Sequence, residues 1–417
     1  MAIVITDTLP AFRHLRRAGI SAVPAGSPAP AGPRPLRVAL LNLMPTKADT
    51  ETQFARLLAT ADRDVALTLF VPDGYRGKST SPDYLQAFYR RWSDLRDQTF
   101  DALIVTGAPV ERMDFAEVSY WEELTEIFAW AEHQVGRVIC VCWAAQAALY
   151  HFHGVPKSTL PAKRSGVFWH RVEAPNHDLL AGFGTRFCAP CSRHTEVRED
   201  DLPADAGLNV LSRSREFGLC LVEDTPRRWL YAFDHLEYDA GTLAREYRRD
   251  HARGGAVTLP RNYYPADDPT RRPLNTWRPH AHRLFDNWLR LVADDRARED
   301  DASRSIGWVL TPERACDIRL DGWDIPNLLS DVRHCLAGRG LTADALTTRQ
   351  RTDGKTVIAF RLELADDGAA ERAARALAAL PRVGRVSYRC PRGSGGLFVH
   401  CGAGTGAPSA AVAARAA

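Results

Sequence analysis

Gly136-Arg137-Val138-Ile139-Cys140-Val141-Cys142-Trp143-Ala144-Ala145-Gln146-Ala147-Ala148-Leu149 changes character within one residue. Val138 to Val141 is a short run of β-branched and apolar side chains, the composition of a strand buried on both faces. From Trp143 onward the chain is alanine-rich and favours helix. Cys142 stands at the junction. A residue on a tight strand-to-helix turn projects its side chain above the sheet. There the start of the next helix lowers a thiol pKa and stabilises a developing oxyanion. That placement suits a nucleophile. The alternative for a cysteine in an apolar run is an inert core thiol. Residues downstream decide between the two.

Upstream, strand and helix patterns alternate. Arg37 to Leu43 reads as a buried strand, broken by Met44-Pro45-Thr46-Lys47. Ala48 to Ala61 has helical spacing, with Phe54, Leu57 and Leu58 on one face. Val65 to Val71 is a second strand, and Asp83 to Gln98 a helix started by Pro82. Ala102 to Val105 is a third strand, ending in Thr106-Gly107-Ala108-Pro109. Trp121 to Gln134 is a helix, and Val138 to Val141 the fourth strand. This alternation predicts an α/β fold with a parallel sheet covered on both faces. Ligands bind such sheets at the carboxyl ends of the strands. The Lys47 turn, the Gly107 turn and Cys142 all fall there. Residues 1–35 read as a polar, proline-rich lead-in wrapping this domain.

The second half holds shorter strands: Ser165 to Trp169, Leu208 to Leu211, Leu219 to Val222 and Trp229 to Phe233. Helices are expected from Ala240 to about Arg253 and from about His280 to Ala293. Asp294 to Ser305 is densely charged without apolar periodicity and reads as a linker. Beyond it, Ala315 to Leu320, Pro326 to Gly338, Leu341 to Arg351, Thr356 to Leu364, Gly368 to Leu380 and Gly384 to Cys390 follow the order β-α-β-β-α-β of a ferredoxin-like layer. The tail from Gly402 is rich in Ala, Gly, Ser and Pro and reads as disordered.

The 417 residues allow two or three domains, and 45% hydrophobic with 25% charged residues is the composition of a soluble protein. A net charge of +3 is too small for a nucleic-acid polyelectrolyte. No apolar run approaches a membrane span, and Met1 to Pro10 lacks the pattern of a secretory signal. The 9 cysteines, an odd number scattered along the chain, fit a reduced, cytoplasmic protein. Cys188-Ala-Pro-Cys191 is a lone C-x-x-C, and no metal is assigned to it.

A cysteine nucleophile needs a base. His235 ends a strand in the same domain, and Glu237 lies two residues on. Side chains two apart on an extended segment share a face, so Glu237 is placed to orient the ring. Cys142, His235 and Glu237 together make a competent nucleophilic triad. Taken singly, His235 reads rather as a surface histidine at a strand end and Glu237 as a solvated carboxylate.

Several segments, in collinear order, resemble the homoserine O-acyltransferases of methionine biosynthesis, the branch with a class I glutamine-amidotransferase-like fold. They are Leu41-Asn42-Leu43-Met44-Pro45-Thr46-Lys47, Glu51-Thr52-Gln53-Phe54, Phe100 to Pro109, Val141 to Ala148, Lys163-Arg164-Ser165-Gly166-Val167, His235-Leu236-Glu237-Tyr238-Asp239 and Asn262-Tyr263-Tyr264-Pro265. The resemblance covers residues 1–295. It implies a ping-pong reaction in a homodimer, with acetyl-CoA as co-substrate and no permanently bound cofactor. Cys142 would carry the acyl group, His235 would accept the proton of L-homoserine, and Glu237 would support it. The family's substrate-binding positions fall on Lys163, Ser192 and Arg249. A guanidinium such as that of Arg249 suits a carboxylate. Lys47 would contribute positive charge near the acyl site; read alone, it is equally a solvated turn lysine.

Acyl choice hangs on Glu111. The family's succinyl users resemble one another in a glycine at this position, and a glutamate goes with acetyl-CoA. A carboxylate fills the space and repels the free carboxylate of succinate. Two departures bear on the acceptor. The family's usual Gly-His-Pro-Glu-Tyr is Asp234-His235-Leu236-Glu237-Tyr238 here, and Cys191 replaces a common histidine before Ser192. Serine is therefore the rival acceptor, and succinyl the rival acyl group. A glutamine amidotransferase and a silent amino-acid-sensing scaffold are the more distant alternatives. Val141 and Trp143 are bulky for the first, and the complete triad argues against the second. Residues 296–305 are the charged linker, 306–401 an added domain and 402–417 the tail. In the added domain, Leu320 to Val332 resembles the first strand, loop and helix of an ACT-type domain. That resemblance implies an amino-acid effector, such as methionine, or subunit pairing.

Overall fold

The computed structural model describes residues 2–27, 33–75, 79–254, 257–305, 315–322, 325–339, 341, 343–350, 356–363, 367–380, 383–389 and 395–399. The chain divides into two compact units, Met1–Arg296 and Ala297–Ala417.

In the first unit the elements run β1 (Ile3–Ile5), α1 (Pro10–Arg17), β2 (Ala22–Pro24), β3 (Leu36–Leu41), α2 (Lys47–Leu58), β4 (Val65–Val71), α3 (Pro82–Phe88), β5 (Arg90–Arg91), β6 (Phe100–Val105), α4 (Trp121–Gln134), β7 (Val135–Val141) and α5 (Trp143–His153). They continue with β8 (Ser158–Val172), β9 (Arg186–Glu196), β10 (Leu208–Ser214), β11 (Gly218–Asp224), β12 (Trp229–Ala232), α6 (Thr242–Ala252) and α7 (Arg278–Ser305), of which the residues up to Arg296 belong to this unit. One sheet has the order β2-β1-β4-β3-β6-β7-β12-β11-β10-β8-β9, with β5 beside β4. From β2 to β12 every pairing is parallel. From β12 to β9 every pairing is antiparallel.

Alternate residues of β3 point to opposite faces, as a pleated strand requires. Val38 and Leu40 join one core with Phe54 and Leu57 of α2 and Phe285 and Trp288 of α7. Ala39 and Leu41 join the other, with Ile127 and Phe128 of α4 and the alanines of α5. The central strands are thus buried on both faces, which explains their continuous apolar composition.

Three expectations are corrected here. Residues 1–35 do not merely wrap the domain: β1 and β2 extend the sheet, and Ile3, Ile5 and Leu15 are buried. The helix expected over Asp83 to Gln98 stops at Phe88. Tyr89 turns extended, and its buried hydroxyl bonds Asn42 and Glu51. Arg90 and Arg91 then pair with Phe70 and Val71. Tertiary contacts outweigh helix propensity. The stretch read as a linker, Asp294 to Ser305, is helical and continues α7. It contains no Gly or Pro, and its arginines, alanines and Glu299 favour helix.

In the second unit, β13 (Ala315–Gly322), α8 (Ile325–Ala337), β14 (Ala343–Gln350), β15 (Thr356–Glu363), α9 (Asp367–Ala378) and β16 (Val383–Arg389) follow the expected β-α-β-β-α-β order. A further strand, β17 (Gly395–Val399), was hidden by its glycines. The antiparallel sheet has the order β14-β15-β13-β16-β17. Leu320, Val332, Ile358, Leu377 and Val386 share one core. Trp323, Asp324, Cys390 and the tail 402–417 lie outside the described residues. Among the described residues no helix is long and apolar enough to cross a membrane.

Candidate active site

β3, β6, β7 and β12 are consecutive in the sheet and parallel, so their carboxyl ends open on one crevice. The chain reverses direction of travel across the sheet between β3 and β6, which is where open α/β sheets bind ligands. The Thr106 hydroxyl accepts from the Leu43 N–H at 2.8 Å, tying the two strand ends together.

Cys142 caps α5 with φ 53° and ψ −115°, a left-handed backbone that a non-glycine residue adopts at a cost of order 1–3 kcal/mol. Its N–H donates to Ala232 O at 2.7 Å, fixing the turn against β12. The side chain is buried, with 6% exposure. Gly107 packs over it. A Cβ there would lie 3.3 Å from Cys142 Cβ and 3.7 Å from His235 Cε1, so the missing side chain leaves space directly above the thiol.

β12 ends at Ala232, and His235 to Tyr238 form a turn rather than an extended strand. The turn brings Glu237 Oε1 to 2.6 Å from His235 Nδ1. The two-residue spacing works, but through a turn rather than a shared strand face. Nε2 is left for the Cys142 sulfur. Burial alone would lower the His235 pKa. The Glu237 carboxylate and the Cys142 sulfur outweigh it and push the imidazole well above its usual value. The structure therefore joins all three sequence-identified residues.

Lys163 on β8, Ser192 on β9 and Arg249 on α6 meet around two carboxylates. Lys163 Nζ donates to Asp250 Oδ2 at 2.8 Å and lies 3.5 Å from Glu246 Oε2. The Ser192 hydroxyl donates to Glu246 Oε2. Arg249 Nε donates to Asp250 Oδ1 at 2.7 Å and keeps half of its side chain exposed. Burial would raise the Asp250 pKa, but Arg249 and Lys163 hold it at about 2. Glu246 was missed from sequence. It also accepts from the Tyr238 hydroxyl at 2.8 Å. Its signal is the spacing: Glu246, Arg249 and Asp250 are three and four apart and share a helix face.

Two quoted motifs act as a clamp for α6. Gly166 lets β8 approach Arg261, with Val167 N donating to Arg261 O at 2.9 Å. Next in the chain, Asn262 Nδ2 donates to Val167 O at 3.2 Å, and the Tyr263 hydroxyl bonds Ala240 O and accepts from Ala244 N.

The Glu111 carboxylate accepts from the His194 backbone N–H at 2.7 Å, and its carbonyl accepts from Lys157 Nζ at 2.7 Å. It is thus fixed against β9, two residues beyond Ser192. Lys47 is not solvated. It is buried beneath Tyr75, 3.9 Å from the ring centroid, and its ammonium donates to Asn42 O. Burial lowers its pKa to about 7, with Glu51 opposing. Among the described residues no hydrogen bond joins Lys47 to the triad. Cys188 and Cys191 do not converge: an odd spacing puts them on opposite faces of β9, and Cys188 donates to Thr276.

A cysteine on a strained strand-to-helix turn, with a histidine–carboxylate pair on the neighbouring strand end, defines an α/β enzyme of thiol-based acyl transfer or hydrolysis. The family described as homoserine O-succinyltransferase matches residues 2–298, and the chain belongs to that family. A protein of Novosphingobium aromaticivorans named homoserine O-acetyltransferase is 50% identical over 289 residues, 69% of this chain and 95% of that protein. One of the same name from Dinoroseobacter shibae is 48% identical over the same shares. Among solved structures, a glutamine amidotransferase from Thermotoga maritima has a TM-score of 0.40 at 12% identity, covering 63% of this chain and 100% of that one.

Proposed function

We propose that the chain is a homoserine O-acetyltransferase of methionine biosynthesis that works through an acyl-cysteine. The observation that carries this reading is the Cys142 turn with its His235–Glu237 pair. The names of the relatives at 50% and 48% identity support the substrates. In the first half-reaction the Cys142 sulfur attacks the thioester carbonyl of acetyl-CoA. The first amides of α5 have no partner within the helix and favour an oxyanion there. The C–S bond to CoA breaks, and the CoA sulfur takes the proton held by His235. In the second, His235 takes the hydroxyl proton of homoserine as its oxygen attacks the acetyl-Cys142 carbonyl. The ester leaves and the sulfur is restored.

The acceptor's two charged ends find opposite partners. Arg249 and Lys163 suit its carboxylate, and Glu246 suits its ammonium group. Glu111, held against β9, supports acetyl over succinyl as the acyl group. The test is intact mass and peptide mapping after incubation with acetyl-CoA or succinyl-CoA without acceptor. Acetylation of the Cys142 peptide is expected. Succinylation alone would keep the mechanism and reverse the acyl assignment. Absence of both, together with glutaminase activity, would overturn the reading. A reducing cytoplasm suits the buried free cysteines of the described residues.

For the second unit, the β-α-β-β-α-β sheet supports an amino-acid-binding role of the ACT type, with methionine as the first effector to titrate. Unchanged inhibition by methionine after truncation beyond Ser305 would remove that role. A homodimer is the expected assembly, checked by light scattering.

A further inference from the structure

The residue immediately before the catalytic histidine is a buried acid. Asp234 is 2% exposed and faces Arg193, which is equally buried, with Oδ1 3.5 Å from Nη1. Arg193 also donates to Phe217 O at 2.6 Å and to Phe233 O at 3.5 Å. The guanidinium thus ties the residues just after β12, Phe233 and Asp234, to the turn before β11. One residue on, the His235 N–H donates to Pro190 O at 2.7 Å. The backbone that aims the base is therefore fixed twice to β9.

The same pair has an electrostatic consequence. Arg193 lies close enough to the Cys142, Cys191 and Cys220 sulfurs for each to act on its charge. His170 Nε2 lies 2.9 Å from Asp234 Oδ2, and the Cys191 and Cys220 thiols face the same carboxylate. Burial would raise the Asp234 pKa, but Arg193 and His170 hold it at about 2, so the carboxylate is ionised throughout the working range. The groups facing His235 itself are Glu237, Cys142 and the Tyr238 ring. Without Asp234, the Arg193 guanidinium would lose the carboxylate it faces while still acting on the charge of the nucleophile. A cation bound by His170, Cys220 and Asp234, whose donor atoms lie within 4.8 Å of one another, is disfavoured by the guanidinium already on that carboxylate.

We infer that Asp234 is a positioning residue for this reaction: with Arg193 it fixes the strand end that carries His235 and balances the guanidinium charge that acts on Cys142. The inference rests on the acyl-cysteine reading. Its test does not need acyl transfer, so the two fail separately. The pH dependence of Cys142 alkylation by iodoacetamide is followed by peptide mass in the full chain. Asp234→Asn leaves Arg193 unbalanced, favours the thiolate and moves the profile to lower pH by about one unit. Arg193→Met leaves the carboxylate unbalanced and moves it to higher pH. The double variant returns it towards the wild-type position, and Asp234→Glu, which keeps the charge, leaves it in place. Thermal melts identify any variant that does not fold, and Asp234→Glu serves as the folded reference. Profiles that stay fixed in both folded single variants would overturn the inference. So would a stoichiometric metal ion in the purified protein that Asp234→Asn removes.

Discussion

The His235 and Tyr238 rings are stacked, 4.2 Å between centroids and 18° between planes. The Tyr238 hydroxyl reaches Glu246, the carboxylate shared by Ser192 and Lys163. One aromatic side chain thus touches the proposed base on its face and the proposed acceptor site at its tip. Tyr238→Phe keeps the stack and removes the hydroxyl. The expected result is a five- to tenfold rise in KM for homoserine, about 1 kcal/mol, with the rate of Cys142 acylation unchanged. Stopped-flow acylation and steady-state assays separate the two.

Glu237→Gln keeps the size of the side chain and removes the charge that holds the imidazole. By analogy with triads in general, kcat falls by about 10³ to 10⁴. Circular dichroism should show an unchanged fold, and a kcat within a few fold of wild type would remove Glu237 from the triad.

Glu111→Gly opens the proposed acyl end and releases the His194 N–H. The ratio of kcat/KM for succinyl-CoA to that for acetyl-CoA is expected to rise at least about tenfold, equivalent to 1.4 kcal/mol. Competition between the two donors, read by product mass, checks this directly.

Gly166→Ala tests the clamp that carries α6. With φ 152°, a Cβ at this position would lie 2.4 Å from Arg261 O and 2.8 Å from Arg261 N, both backbone atoms. The strands must separate, so stability falls by about 2 kcal/mol or more. Urea unfolding measures it, and homoserine affinity should fall along with it.

Lys47 gives a pH signature. Its folded pKa is about 7 against an ordinary 10.5. Between those values the unfolded chain holds more protons at this position than the folded one. Stability therefore rises with pH across that window, with a slope of at most about 1.4 kcal/mol per unit from this group. Below pH 7 both states are charged, and the group's pH dependence ends. Lys47→Met should flatten the slope in urea unfolding measured at several pH values. An unchanged slope would assign it to other groups.

The geometry of the candidate site was legible because it depends on local chemistry. Cys142 lies where a β-branched run meets an alanine-rich one, and no long-range contact is needed to see that turn. The meeting of His235 with Glu237 was also foreseen, although the turn at Leu236 achieves it rather than a strand face. What escaped reading depends on distant partners. Tyr89 leaves the helical course because Asn42 and Glu51 take its hydroxyl. Glu246 acquires its role only when β8, β9 and α6 come together. Asp294 to Ser305 looked like a linker because its charges hide the period of α7.

The switch from parallel to antiparallel pairing at β12 separates two tasks. The proposed nucleophile and base stand at the ends of β7 and β12, joined by the Cys142–Ala232 hydrogen bond. Lys163, Ser192 and the α6 clamp belong to the antiparallel extension. On this reading acceptor preference can drift through substitutions in β8, α6 and the Ser192 position of β9, provided Pro190 and Arg193, which hold the His235 segment, are kept. A protein engineer seeking a new alcohol acceptor would randomise that extension around Pro190 and Arg193 and leave the four parallel strand ends alone.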